Sequence, residues 1–195
     1  MSHIEPFIRW AGGKTWLVPF MKQLTQDLKY KNYYEPFLGG AAVFFSLTPP
    51  KHAYLSDINA ELIDTYTAIR DIPDDVLQAL QLLQNTEEDY YRIRETEPTA
   101  LAERAARFLY LNQTSFNGLY RVNNQGKYNV PYHRGGDPYE TGSDTPIPNF
   151  LYLPSPFAIM PKVLSALSCA QFAVNAFFIW LMPAFLIHSM TKTEL

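Results

Sequence analysis

Apolar and polar positions follow two periods along this chain, and the switches between them lay out its elements. Short apolar runs at residues 33–35 and 53–56 predict buried strands. Residues 41–47 and 60–70 follow them with the three-to-four-residue recurrence of helices, and strand, helix, strand, helix predicts a parallel sheet. From Pro73 onward the spacing turns helical at 74–84, 88–94 and 101–112, with Pro73 suited to a first helical turn. Gly118, Asn123-Asn124 and Gly126 interrupt residues 117–129 and predict a hairpin or irregular loop. Residues 133–161 are rich in proline and read as an extended connector, and the apolar residues 177–181 predict one more buried strand. The pattern therefore predicts an α/β core, residues 1–70 and 151–195, interrupted by a mostly helical lobe at 71–150. No internal repeat is present.

Composition narrows the class. A chain of 195 residues suffices for one full core, or for a core with a lobe inserted into it. With 47% hydrophobic and 18% charged residues it is globular rather than disordered. The lone cysteine, Cys169, excludes an internal disulfide and a cysteine-based zinc site. No basic and apolar leader precedes Phe7, so a cytoplasmic protein is expected. Residues 163–191 lack Asp, Glu, Lys and Arg, but polar residues such as Gln171 and Asn175 interrupt the tail, which reads as core strand rather than membrane helix.

Net charge is −3, which by itself argues mildly against nucleic acid as a partner. Its distribution changes that reading. Residues 104–136 hold five cations, Arg104, Arg107, Arg121, Lys127 and Arg134, and no acid; subtracting those five from the total leaves −8 on the rest. Phe108, Tyr110, Phe116, Tyr120, Tyr128 and Tyr132 are interleaved with them. Such a strip suits phosphate neutralisation with base stacking. It equally suits a solvated helix followed by a hairpin whose aromatics are core, and composition does not choose between the two.

The candidate chemistry starts at Tyr34-Glu35-Pro36-Phe37-Leu38-Gly39-Gly40, where an acid and a glycine pair follow a predicted strand. Glycines admit positive φ and close backbone approach, and an acid at a strand end can accept hydrogen bonds from a ribose or an ammonium group. Asp57 lies about twenty residues beyond that turn, at the end of the next strand, where a carboxylate can take both ribose hydroxyls. Capping of the following helix suits Asn59 better, which leaves Asp57 for the ribose. Gly12-Gly13-Lys14-Thr15 ends like a P-loop, but Ile8 occupies the position of that motif's first glycine, so an NTP-hydrolysing reading fails.

Four ordered blocks carry a more specific signal. They are Phe7-Ile8-Arg9-Trp10-Ala11-Gly12-Gly13-Lys14-Thr15, the stretch from Tyr33 to Phe45 that contains the turn above, Tyr54 to Ile63 around Asp57, and Phe108 to Arg121, ending Phe116-Asn117-Gly118-Leu119-Tyr120-Arg121, with Tyr128-Asn129-Val130-Pro131-Tyr132. In this order they closely resemble the Dam-type DNA adenine methyltransferases, over about residues 4–175. The resemblance implies a Rossmann-like core that binds S-adenosylmethionine, with an inserted DNA-recognition lobe, and double-stranded DNA as partner. It implies cofactor contacts at Trp10, Ala11, Gly12, Lys14, Tyr34, Glu35, Pro36, Phe37, Gly39, Asp57 and Ile58. It implies DNA contacts at Phe116, Asn117, Gly118, Leu119, Arg121 and Asn129, with Phe116 or Leu119 wedging between bases and Arg121 at a base edge or a phosphate. A short GATC-like target, a monomer, no metal and no membrane complete the expectation.

One part of that pattern is missing. The family holds the target adenine's amine with Asp-Pro-Pro-Tyr or a close variant, and no such motif occurs in this sequence. Asp137-Pro138-Tyr139, Leu153-Pro154-Ser155-Pro156-Phe157 and Met182-Pro183-Ala184-Phe185 are near matches; the last two lack the acid, and the first has a single proline and follows Arg134-Gly135-Gly136 rather than a strand. The sequence therefore leads one to expect a core incomplete at its C-terminal side, and no catalytic residue is assigned.

Overall fold

The computed structural model describes residues 6–47, 50–133 and 170–174. The predicted connector from 134 onward, Arg134, the predicted strand 177–181 and the three near matches lie outside the described residues.

Three parallel strands in the order β1-β2-β3 form the sheet: β1 (Asn32–Glu35), β2 (His52–Asp57) and β3 (Ala170–Val174). The first two lie where the apolar runs place them. β3 carries no comparable signal, because Ala170 and Gln171 offer neither a strong apolar run nor a flanking turn residue. The helices are α1 (Val18–Thr25), α2 (Ala42–Ser46), α3 (Ala60–Asp71), α4 (Pro73–Gln81), α5 (Glu87–Arg94) and α6 (Leu101–Thr114). Each predicted helix is present. α4 stops at Gln81, three residues short of the predicted end, where the Leu82 and Leu83 amides bond back only three residues, to Ala79 and Leu80, and close the helix in a tight turn. α6 runs two residues past 112, and the Thr114 hydroxyl donates to the Tyr110 carbonyl inside that last turn.

α1 has no counterpart in the pattern reading. It has no side-chain cap and buries no residue, while Trp16, Phe20 and Leu24 stand exposed at four-residue spacing.

Register sets the faces of the sheet. Glu35 pairs with Leu55 and Tyr34 with Tyr54, so Glu35, Leu55 and Asp57 share one face while Tyr34 and Tyr54 share the other. On the first face α3 lays Tyr66 flat on Phe172, with ring centroids 5.7 Å apart. Leu62, Ile69, Val76, Leu80, Tyr90, Leu109 and Leu111 extend the same core through α3, α4, α5 and α6. Side chains of that size contribute about 1.5–3 kcal/mol each when fully buried. Asn59 caps α3 by accepting from the Leu62 amide at 2.9 Å, as its place in the sequence predicts, which leaves Asp57 for other partners.

Candidate cofactor and nucleic-acid site

Because β1 and β2 are parallel, their last residues, Glu35 and Asp57, come to the same edge of the sheet. Both are buried, at 7% and 8% exposure. The Tyr33 hydroxyl donates to Glu35 Oε2 at 2.9 Å, and Lys14 Nζ lies 3.7 Å from Oε1 while donating to the Phe37 carbonyl. Burial pushes the Glu35 carboxyl above its ordinary range, with Tyr33, Lys14 and the Phe44 backbone opposing the shift. This acid has fewer charged partners than its burial demands.

Asp57 has a different role in the same edge. Its Oδ2 accepts from the Gly39 amide at 2.9 Å and its Oδ1 from the Asn59 amide at 3.0 Å, so it ties the glycine turn to the start of α3. Each carboxylate oxygen has two acceptor sites, so each retains one after these bonds. Above the turn the Tyr66 hydroxyl donates to the Gly39 carbonyl at 3.2 Å.

Two glycines are needed here because another segment crosses them. Gly39 has φ +54°, and a Cβ on it would stand 2.9 Å from Trp10 Cδ1; a Cβ on Gly40 would stand 2.8 Å from the Ile8 carbonyl oxygen. The close approach is thus made by residues 8–10 of the chain itself.

The other predicted cofactor residues divide. Trp10 is half-buried and stacks on Tyr120, 5.4 Å between centroids. Ala11 and Gly12 form an exposed turn, closed by the Gly13 amide donating to the Trp10 carbonyl, and bring Lys14 to Glu35. Phe37 and Ile58 are exposed apolar groups just past the strand ends, and Pro36 joins Glu35 to Phe37. Tyr34 is not brought to this edge: it is 63% exposed and stacks on Tyr54 across the sheet from Glu35.

The predicted DNA residues lie on a second turn. α6 ends into a 3-10 turn, Phe116–Gly118, in which Asn117 and Gly118 both have positive φ. The bridge Val122–Tyr128 and the Asn129 amide donating to the Arg121 carbonyl make the hairpin. Phe116 and Leu119 are 47% and 38% exposed. Arg121 donates through Nε to Asn129 Oδ1 at 2.8 Å, which holds its guanidinium on the outside of the hairpin.

The basic, aromatic strip does not form one face. Phe108, Tyr110 and Tyr128 are core, so for these three the bland reading of the strip holds. Arg104 pairs with Asp64, Lys127 with Glu97, and Arg107 donates to the Ile93 and Arg94 carbonyls. A cavity of about 260 Å³ sits among these pairs, lined by Glu61, Arg94, Arg104, Arg107 and Lys127, away from Glu35.

Asn112, which lies inside the fourth block but to which the sequence assigns no role, joins the two turns. Buried on α6, it accepts from the Arg9 amide at 2.9 Å and donates to the Arg9 carbonyl at 2.7 Å and the Gly118 carbonyl at 3.2 Å. An asparagine among the apolar positions of α6 was the available signal, since a buried amide needs partners. Among the described residues, no group of three His, Cys, Asp or Glu could hold a metal ion, and no helix is long and apolar enough to cross a membrane.

Residues 10–144, which carry both turns and α6, match the family of D12 class N6 adenine-specific DNA methyltransferases. The chain belongs to this family. It is 40% identical over 144 residues to the type II methyltransferase M1.LlaDCHI of Lactococcus lactis subsp. cremoris, covering 70% of this chain and 50% of that protein. It is 36% identical over 156 residues to the type II methyltransferase M.MjaIII of Methanocaldococcus jannaschii, covering 69% and 54%. It is 37% identical over 146 residues to the DNA adenine methylase of Escherichia coli K12, covering 71% and 51%. The D12 chain thus spans about half the length of the curated relatives it matches.

Proposed function

We propose that this chain acts in site-specific methylation of the adenine amine in DNA, with S-adenosylmethionine as methyl donor. The observation that carries this reading is the pair of buried carboxylates, Glu35 and Asp57, at adjacent ends of parallel strands, in a chain of the D12 family.

The donor set fits that cofactor. S-adenosylmethionine presents an ammonium, two ribose hydroxyls and an aromatic base, and when bound it supplies an electrophilic methyl group on its sulfonium. Glu35, buried with its carboxyl pushed up, gains most from a cationic or hydroxyl partner. Asp57 uses one acceptor site on each oxygen for the Gly39 and Asn59 amides and keeps the others for a ribose. Phe37 and Ile58 offer apolar cover for a base, Trp10 an aromatic face, and Lys14, Ala11, Gly12, Pro36 and Gly39 shape the turn around them. Tyr34, on the far face, is assigned no cofactor contact.

On the DNA side, Phe116 or Leu119 wedges between bases, and Arg121, steadied by Asn129, reads a base edge or clamps a phosphate; Asn117 and Gly118 give the turn its shape. In this reading the sheet belongs to a Rossmann-like core, residues 1–70 and 151–195, and residues 71–150 are the recognition lobe. Double-stranded DNA is the partner, and the protein works in the cytoplasm as a monomer.

A second reading rests on one observation, the lack of an Asp-Pro-Pro-Tyr motif in the sequence. In it the chain binds cofactor and DNA and transfers nothing. The deciding experiment incubates the full chain with methyl-labelled S-adenosylmethionine and unmethylated plasmid DNA. Label at the adenine amine is the expected result. Binding of cofactor without incorporation favours the second reading, and a folded chain that binds no cofactor rejects both.

A further inference from the structure

We propose that Tyr120 is a positioning residue that makes cofactor binding and DNA engagement interdependent; this rests on the function proposed above. The backbone of Tyr120 lies between Leu119 and Arg121 in the exposed hairpin, yet its side chain points to the cofactor edge. Its ring stacks on Trp10 at 5.4 Å with an interplanar angle of 29°, and packs on Phe108 at 5.6 Å and edge-on to Tyr128 at 5.7 Å. Its hydroxyl donates to Glu61 Oε2 at 2.9 Å, in the first turn of the helix that begins just after Asp57. Burial, the largest cause, pushes the phenol up to about 12, so it remains a donor at neutral pH.

The backbone repeats the link. Gly118, two residues before Tyr120, has φ +61°, and a Cβ on it would collide with the Arg9 side chain. Asn112 bonds the Gly118 carbonyl and the Arg9 backbone together. A shift of Trp10 on loading the cofactor edge therefore moves the surface on which Tyr120 rests, and with it Leu119 and Arg121. Linkage makes such an effect reciprocal: DNA must tighten the cofactor by the factor by which the cofactor tightens DNA.

The test is equilibrium dialysis of labelled S-adenosylhomocysteine with the full chain, with and without unmethylated plasmid DNA. Wild type is expected to bind the ligand at least about fivefold tighter with DNA present. Tyr120→Ala is expected to bind the ligand alone with near wild-type affinity and to bring the DNA effect down to about twofold or less, whereas Tyr120→Phe, which keeps the stack, retains most of it. Should Tyr120→Ala not fold, Tyr120→Leu, which keeps apolar bulk without the flat stack, carries the same expectation. A wild-type effect absent with both ligands bound, or one unchanged in the Ala or Leu variant, overturns the proposal while leaving the proposed function intact. Wild type that binds neither ligand overturns both.

Discussion

Two glycine turns press on one short segment, residues 8–10, from different sides, and they use one backbone device for opposite ends. At Gly39-Gly40 the chain crosses under Ile8 and Trp10, with positive φ at Gly39 and Ala41; at Asn117-Gly118 it crosses beside Arg9, with positive φ at both residues. The first turn is buried and draws two carboxylates inward. The second buries Gly118 but exposes Asn117 and turns Phe116 and Leu119 outward. Burial at the first raises the Glu35 carboxyl, an energetic debt that a ligand can relieve, while apolar exposure at the second is relieved only by a partner that covers it. Residues 8–10, which the pattern reading took only as part of a cofactor block, form the wedge between the two.

The strongest way to break this comparison is to remove the amide that joins the turns. Asn112→Ala removes the side chain that bonds the part-buried Arg9 backbone and the buried Gly118 carbonyl, at about 1–3 kcal/mol per group left unsatisfied, so a total loss of about 3 kcal/mol is expected from urea unfolding. A loss under about 1 kcal/mol would show that the wedge holds without it. Gly40→Ala comes next. Its Cβ meets backbone that cannot rotate away, and overpacking of this kind costs about 1–3 kcal/mol, whereas Gly126→Ala, with φ +76° and nothing within 4 Å, carries only the left-handed penalty of about 1–2 kcal/mol. A smaller loss at Gly40 than at Gly126 would place the strain wrongly.

Arg121→Ala sharpens the exposed side. If the guanidinium reads a base, affinity for the preferred sequence falls about tenfold or more while affinity for other DNA changes less. Equal losses on both would make Arg121 a phosphate contact.

The smallest effect is a pH dependence at the buried turn. A raised folded-state carboxyl keeps its proton to higher pH than the unfolded chain does, so its stabilising contribution is full below the ordinary glutamate range and is lost as pH rises through the raised value. Glu35→Gln cannot ionise, so its stability relative to wild type should increase from about pH 4 upward. Unfolding midpoints in urea that stay parallel across that range would contradict the burial argument.

Much of this was legible in the sequence because the signals are local. Strands β1 and β2, the Asn59 cap and Pro73 at a helix start each announce themselves within a few residues. Glu35 and Asp57 were legible as acids at strand ends, and strict alternation along β1 already separates Tyr34 from Glu35. What stayed hidden depends on distant partners. Asn112 meets Arg9 across 103 positions and Tyr120 meets Glu61 across 59, and no local period records either. The basic strip misleads for the same reason: the acids that pair with Arg104 and Lys127, Asp64 and Glu97, come from outside the strip. β3 escaped because it has no alternation or flanking turn residue strong enough to mark it, and α1 because its apolar spacing and its first-turn Pro19 come without a side-chain cap or a buried face.

The most direct test of the central claim, that the buried carboxylate edge holds S-adenosylmethionine, is titration calorimetry of S-adenosylhomocysteine into the full chain and its Glu35→Gln variant. The account predicts one saturable site in wild type, weakened about tenfold or more in the variant while cooperative unfolding is retained, since a charged hydrogen bond is worth about 1.5–3 kcal/mol. A folded wild type that takes up no ligand, or a variant that binds it equally well, would contradict the account.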